Sequence, residues 1–262
     1  VGWGRGFMVK AVATQLRQVS RNHTRPVYAL QCDIEHFFAT VDHETLLRLI
    51  ARWVPDERLR RLLTVVIQSF ETAPGKGMPI GTITAQVCAN IYLNALDQYI
   101  KRVLRCRYYA RYMDDFILLS DNYQYLQDCL VAIRSFLRST LHLRLHPQKV
   151  SISSYKAGLD WVGYLLLPQY RLVRRSTVRR MIRRCNHRHD QALQGHDRTF
   201  THSLAAYLGI LSHATQWGLS CSMKQAYPPH VYQSFLNGVI LTFRTEKSSD
   251  KKLKNGKKIS SV

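Results

Sequence analysis

Two short apolar arms, Cys106 to Tyr112 and Phe116 to Ser120, flank a break at Met113, Asp114 and Asp115. Aromatic and β-branched residues in runs of this length form strands, and a short polar interruption reverses the chain, so the segment is predicted as a β-hairpin. A hairpin implies an antiparallel sheet. Pro26 to Ile34 alternates apolar and polar residues and supplies another strand, ending near Asp33. Lys10 to Arg21 is a short amphipathic segment, and helical spacing is read over Asp42 to Trp53 with Asp42 as N-cap, Asp56 to Phe70, Thr84 to Leu104 and Tyr123 to Ser139. Three glycines and two prolines between Pro74 and Gly81 turn the chain before the helix that starts near Thr84. Alternation resumes over Leu141 to Ser153 and predicts a strand carrying Lys149; Leu159 to Val173 predicts a second hairpin. From Ser176 the pattern is helical and basic, and Asp250 to Lys258, with five lysines, reads as a solvated tail. The order indicates an α+β sheet domain followed by a helical one, with no internal repeat.

Charge narrows the function. With 262 residues, 46% of them hydrophobic, a core can form, yet 38 Lys+Arg against 17 Asp+Glu leave a formal net charge of +21. Self-repulsion of that size points to a polyanionic partner, nucleic acid first. On charge alone, a merely basic protein or one that binds an anionic membrane surface stays open. The six cysteines contain no C-x-x-C pair and are read as thiols of a reduced compartment. Cys185, His187 and His189 lie among arginines and are read as a solvated basic face rather than as metal ligands. No run approaches a membrane span or a signal sequence, so a cytosolic protein with no membrane partner is expected. The chain starts at Val1 within a Gly-rich, basic stretch (Gly2, Gly4, Arg5, Gly6), and a further N-terminal portion is expected.

The acids suggest chemistry. One aspartate would serve the hairpin turn, and aspartate is common in turns for its own backbone hydrogen bonding, so Asp114-Asp115 alone has a structural reading. Asp33 changes the balance: in one sheet its carboxylate would lie beside those of Asp114 and Asp115. Three carboxylates that close raise one another's pKa values unless cations sit among them. Hard oxygen ligands suit Mg²⁺, and two such ions stabilise the attacking and leaving oxygens of an in-line phosphoryl transfer. Basic surroundings would then hold the nucleic acid.

Four ordered segments carry a resemblance. Tyr112-Met113-Asp114-Asp115 resembles the catalytic box of reverse transcriptases, and Asp33-Ile34-Glu35-His36-Phe37-Phe38 their first acidic motif. Leu143 to Lys149 is similar to the segment that ends in a lysine near the triphosphate, and Trp161-Val162-Gly163-Tyr164 to the primer-grip hairpin. The resemblance implies a right-hand polymerase: partial fingers over 1–25, palm with part of the fingers over 26–175, helical thumb over 176–245 and a basic disordered tail over 246–262. It implies that Asp33, Asp114, Asp115 and the Ile34 carbonyl bind two Mg²⁺ ions, with Mn²⁺ as an alternative. Lys149 would donate a proton to the leaving pyrophosphate. Phe38 would exclude the ribose 2′-hydroxyl, the chemical difference between ribo- and deoxyribonucleotides; Ile80, Gly81, Gln86, Tyr112 and Met113 would complete the nucleotide site. As bare residues, Phe37 and Phe38 could equally be core, and Lys149 a surface lysine.

Met78 to Asn94 narrows the resemblance. Group II intron and retroviral enzymes usually carry Gln where Ile80 stands, whereas diversity-generating retroelement enzymes read Ile-Gly, three variable residues and Ser-Gln; here Ala85 replaces that serine. Leu172 to Arg180 and Ser212 to Trp217 are similar to the same group. The resemblance implies template RNA, a DNA or RNA primer, cDNA and deoxynucleoside triphosphates as partners. It also implies frequent errors opposite adenine, a small basic accessory protein, and a bacterial or phage-encoded enzyme of the cytoplasm. A group II intron-type or defence-associated enzyme, and a catalytically idle RNA-binding relative, are the alternatives.

Overall fold

Burial of consecutive apolar strand residues sets the architecture. The computed structural model describes residues 4–193, 200–226, 232–234 and 241–243. They form two compact units, 11–157 and the described parts of 1–10 and 158–262, with α1 (Arg5–Val19) spanning the boundary. The predicted basic tail, Asp250 to Lys258, lies outside the described residues.

In the first unit the chain runs β1 (Tyr28–Asp33), α2 (Phe37–Thr40), α3 (His43–Ala51), α4 (Glu57–Gln68), α5 (Ile83–Gln98), β2 (Tyr108–Tyr112), β3 (Asp115–Ser120), α6 (Tyr123–Thr140) and β4 (Ser151–Ser154). The four strands form one antiparallel sheet in the order β2-β3-β1-β4. Phe116, Ile117, Leu118 and Leu119 of β3 are all buried, so both faces of this strand are covered. Each such side chain contributes about 1.5–3 kcal/mol. Leu30, Cys32, Phe116 and Leu118 share a core with Tyr92, Leu93 and Leu96 of α5 and Leu126, Ile133 and Leu137 of α6. Helix starts are fixed by side-chain caps: Asp42 accepts from the Thr45 N–H as expected, and Asp56, Thr82 and Asn122 do the same for α4, α5 and α6.

Two expectations change in this unit. The helix predicted to Leu104 ends as α at Gln98 and continues as a π turn, Tyr99–Val103, in which the Leu104 N–H reaches the Tyr99 carbonyl at 3.1 Å. Stacking of Tyr99 on Phe136 at 4.1 Å accompanies the change of winding. The strand predicted over Leu141 to Ser153 pairs only from Ser151. His142 takes a positive φ, Pro147 has no N–H, and Leu145 makes one isolated bridge to Ile34, so Lys149 sits in the bend before β4. The periodic apolar residues of α4 are mostly exposed: Ile67 is buried, whereas Leu62 is 60% accessible.

In the second unit the predicted hairpin is a three-stranded meander, β5 (Leu159–Trp161), β6 (Tyr164–Leu166) and β7 (Arg171–Val173). Helices α7 (Arg175–Leu193), α8 (Phe200–Leu211) and α9 (Trp217–Ala226) follow, then the strand pair β8 (Tyr232–Ser234) and β9 (Leu241–Phe243). Two sequence segments singled out above meet here. The Thr215 N–H donates to the Arg171 carbonyl at 2.7 Å, and Gln216 Oε1 accepts from the Val173 N–H at 2.7 Å. Cys185 does not belong to a solvated face: it is fully buried on α7, which pushes its thiol up to about 11, while His187 is exposed and His189 packs against Phe200.

Burial makes opposite forecasts for two leucines. Leu118→Ala is expected to lower the unfolding free energy by about 2–5 kcal/mol, and Leu62→Ala by no more than about 0.5 kcal/mol. Urea denaturation checks this, and similar losses for the two would contradict the assignment of the core.

Candidate active site

Register brings the acids together. β1 and β3 run antiparallel with Asp33 opposite Asp115, the last residue of one strand facing the first of the other. Tyr112 is also paired with Asp115 across the β2–β3 hairpin, which leaves Met113 and Asp114 as a two-residue turn. Met113 has a φ of 59°, in the left-handed region that tight hairpin turns use and that glycine ordinarily fills. Two strand ends and one turn therefore place Asp33, Asp114 and Asp115 at one end of the sheet.

The loop before β4 reaches the same place. Its backbone clasps the end of β1, with the His146 N–H donating to the Asp33 carbonyl and the Glu35 N–H to the Arg144 carbonyl, both at 2.9 Å. Ile34 lies between these contacts, bridged to Leu145. Lys149 Nζ then donates to Asp33 Oδ2 at 3.1 Å; the lysine side chain is 57% exposed and the aspartate 15%. This contact raises the lysine pKa.

Like charges show in the carboxyl groups. Burial, with hydrogen bonding to Asp33 and the charges of Asp33 and Asp114, pushes Asp115 up to about 7. Burial and the charge of Asp33 raise Asp114 also. Among the described residues, no three His, Cys, Asp or Glu side chains are already arranged to hold a metal ion. Lys149 brings a positive charge to Asp33. The donors are hard carboxylate oxygens with a surplus of negative charge, which fits Mg²⁺ or Mn²⁺ better than a soft metal.

Phe38, Ile80, Gly81 and Gln86 belong to the same compact unit as the acids. Phe37 is buried and meets Phe38 edge-on at 5.2 Å, while Phe38 is only partly covered. The Met78 N–H donates to the Phe38 carbonyl at 2.7 Å, which ties the segment leading to Ile80 and Gly81 to α2, the short helix that follows β1. Ile80 is 81% exposed, an unusual position for a large apolar side chain. Gly81 has a φ of 92°, which suits glycine alone, and Gln86 is exposed on the first turns of α5. Trp161, Val162, Gly163 and Tyr164 belong to the other unit as a tight turn with positive φ at Val162 and Gly163. Both aromatic rings are buried, so the turn presents Val162 and Gly163.

Sequence reading missed Arg111, Asp97 and Tyr109. Arg111 forms a two-pronged ion pair with Asp97, and the Tyr109 hydroxyl donates to Asp97 Oδ1 at 2.6 Å. A charged residue inside the apolar arm Tyr108 to Tyr112 was the available signal.

The pH dependence follows from Asp115. Its folded-state value of about 7 exceeds the ordinary 3.8, so its contribution is fully present below the unfolded value and is lost as pH rises through the folded one. Without divalent ions, the melting temperature of the wild type should fall between about pH 4 and about pH 7 relative to Asp115→Asn and level off above that. Parallel profiles in calorimetry would contradict the assignment.

A family model described as reverse transcriptase (RNA-dependent DNA polymerase) matches residues 5–166. Protein YkfC of Escherichia coli strain K12 is 24% identical over 197 residues, covering 61% of this chain and 51% of that protein. An uncharacterised 91 kDa protein in the cob intron of Schizosaccharomyces pombe is 26% identical over 94 residues, covering 34% of this chain and 12% of that protein. The chain spans about half the length of the first and less of the second. Apo telomerase from Candida tropicalis, truncated from its C-terminal domain, superposes with a TM-score of 0.52 at 13% identity over 64% of this chain and 39% of that one. Telomerase from Candida albicans, in complex with a fragment of telomeric RNA, gives 0.50 at 11% over 63% and 33%. At these identities the structures share the fold. Because the family model covers more than half of its length, the chain belongs to the reverse transcriptase family.

Proposed function

We propose that this chain is the polymerising part of an RNA-directed DNA polymerase that copies an RNA template into cDNA. The observation that carries the reading is the register pair Asp33 and Asp115, with Asp114 beside it and Lys149 on Asp33. Polymerases of this family use divalent metal ions. Two Mg²⁺ ions, with Mn²⁺ as a substitute, would supply charge stabilisation for the attacking and leaving oxygens. Asp33, Asp114, Asp115 and the Ile34 carbonyl would hold them. Lys149, a protonated side chain on a mobile stem, would turn from Asp33 to the triphosphate and give its proton to the leaving pyrophosphate.

Phe38, braced by buried Phe37, would stand against the sugar and reject a 2′-hydroxyl by bulk. Ile80, Gly81, Gln86, Tyr112 and Met113 would line the rest of the nucleotide site, and the exposure of Ile80 supports a role in contact with substrate. Residues 26–175 would act as palm with part of the fingers, 1–25 as partial fingers, 176–245 as thumb and 246–262 as basic tail. The turn at Val162 and Gly163 would contact the primer by its backbone. A net charge of +21 supports RNA and DNA as partners.

Ile80, where accurate relatives carry glutamine, favours the error-prone enzyme of a diversity-generating retroelement, with its small basic accessory protein. An apolar wall discriminates less sharply than an amide that must be hydrogen-bonded. The match to a protein in a cob intron favours an intron-type enzyme instead. Paired template and variable repeats beside the gene would decide between them. No described helix is long and apolar enough to cross a membrane. Six free cysteines support a reducing, cytoplasmic setting in a bacterium or phage-infected cell.

In primer extension on an RNA template, Asp114→Asn should lower turnover more than about 100-fold, beyond what losing an outer partner of a metal site costs. RNA affinity should stay within about twofold, because no phosphate contact is removed. Extension near the wild-type rate would overturn the proposed function.

A further inference from the structure

The turn that presents Asp114 and Asp115 is locally unfavourable. Met113 holds a left-handed φ of 59° without being glycine, a conformation that persists only where its surroundings impose it. The backbone bonds of the hairpin fix Tyr112 and Asp115 but not the two residues between them.

Arg111 supplies the missing constraint. Its Nη1 donates to the Met113 carbonyl at 3.0 Å. The other edge of the guanidinium is fully engaged: Nε donates to Asp97 Oδ1 at 2.8 Å and Nη2 to Asp97 Oδ2 at 2.7 Å. Asn90 Oδ1 stands 3.5 Å from Nη1, at the limit of a hydrogen bond. A planar fork with five N–H donors can grip a carboxylate along one edge and a carbonyl from the third nitrogen, which an ammonium cannot do. Asp97 is itself held on α5, where the Tyr109 hydroxyl is its second donor. The side chains of Arg111 and Asp97 are 11% and 24% exposed, so water competes little for these bonds. Burial opposes the arginine charge, yet the bonds and charge of Asp97 outweigh it.

We propose that Arg111 is a positioning residue for the acidic turn: anchored on Asp97 of α5, it holds the Met113 carbonyl and thereby fixes where Asp114 and Asp115 point. α5 becomes the rigid reference for the turn, which β2 and β3 alone leave underdetermined. The functional consequence rests on the polymerase reading above, whereas the conformational consequence does not.

Two variants of the full chain test it. Arg111→Lys keeps the charge and loses the fork. The triple variant Asp97→Leu, Tyr109→Phe and Arg111→Met replaces the network with apolar groups and leaves no buried charge unpaired. In the variant that melts within a few degrees of wild type, the Asp114 and Asp115 amides should exchange with solvent at least about tenfold faster, with Ile117 to Leu119 unchanged. Turnover in primer extension should fall about 10- to 100-fold with nucleotide KM within about threefold, since misplacement by an ångström acts on the chemical step. Wild-type exchange in such a variant would overturn the proposal, as would faster exchange with full turnover. An inactive wild type whose variants exchange faster would sink the polymerase reading and leave the clamp standing.

Discussion

Repulsion between Asp33 and Asp115 is the constraint around which the first unit is organised. Antiparallel pairing of β1 with β3 sets two carboxylates opposite each other, and the turn adds Asp114. No strand pair would select that register for the sake of its acids. The compensating free energy comes from Phe116 to Leu119 and their partners in β1, α5 and α6, whose burial fixes the register because a one-residue slip would move every core side chain to the opposite face, against packing shaped for its neighbours. The unfavourable end of the sheet is thus held in place by its favourable middle.

Two cationic side chains stand beside the acidic turn in different ways. Lys149 meets Asp33 directly and is more than half exposed, so it can leave when a stronger cation or a phosphate competes. Arg111 is engaged with Asp97 and the Met113 carbonyl and is largely covered, so it stays. One side chain is suited to exchange and the other to permanence. Such a division would suit the proposed site, which would bind metal and triphosphate in every cycle.

Much of this architecture was legible in the residues. The arms of the acidic hairpin, the strand ending at Asp33 and the Asp42 cap follow from period and capping chemistry, which act over a few residues. The π turn after Gln98 was not legible, because it accompanies stacking of Tyr99 on Phe136, a partner far along the chain. Lys149 was placed on a strand because Leu141, Leu143 and Leu145 alternate, yet His142 and Pro147 prevent a ladder there. On α4, spacing identified a helix but could not say that Leu62 would face solvent. Arg111 and Asp97 were missed for a similar reason: their pairing joins a strand to a helix, and no periodicity reports it. The convergence of Asp33, Asp114 and Asp115 came from a strand end and an adjacent hairpin in one sheet, and Lys149 was added by motif resemblance; the elevated carboxyl of Asp115 and the lysine contact needed coordinates.

The proposed function rests on Asp33, Asp114 and Asp115 holding divalent ions while Lys149 turns from Asp33 to the triphosphate. Crystals of the protein with primer–template and a non-hydrolysable nucleotide, soaked in Mn²⁺, test this by anomalous diffraction. The account predicts two manganese peaks about 2.0–2.2 Å from oxygens of Asp33, Asp114 or Asp115, with octahedral surroundings and Lys149 withdrawn from Asp33. Crystals with bound nucleotide, no manganese among these carboxylates and the lysine still on Asp33 would contradict it.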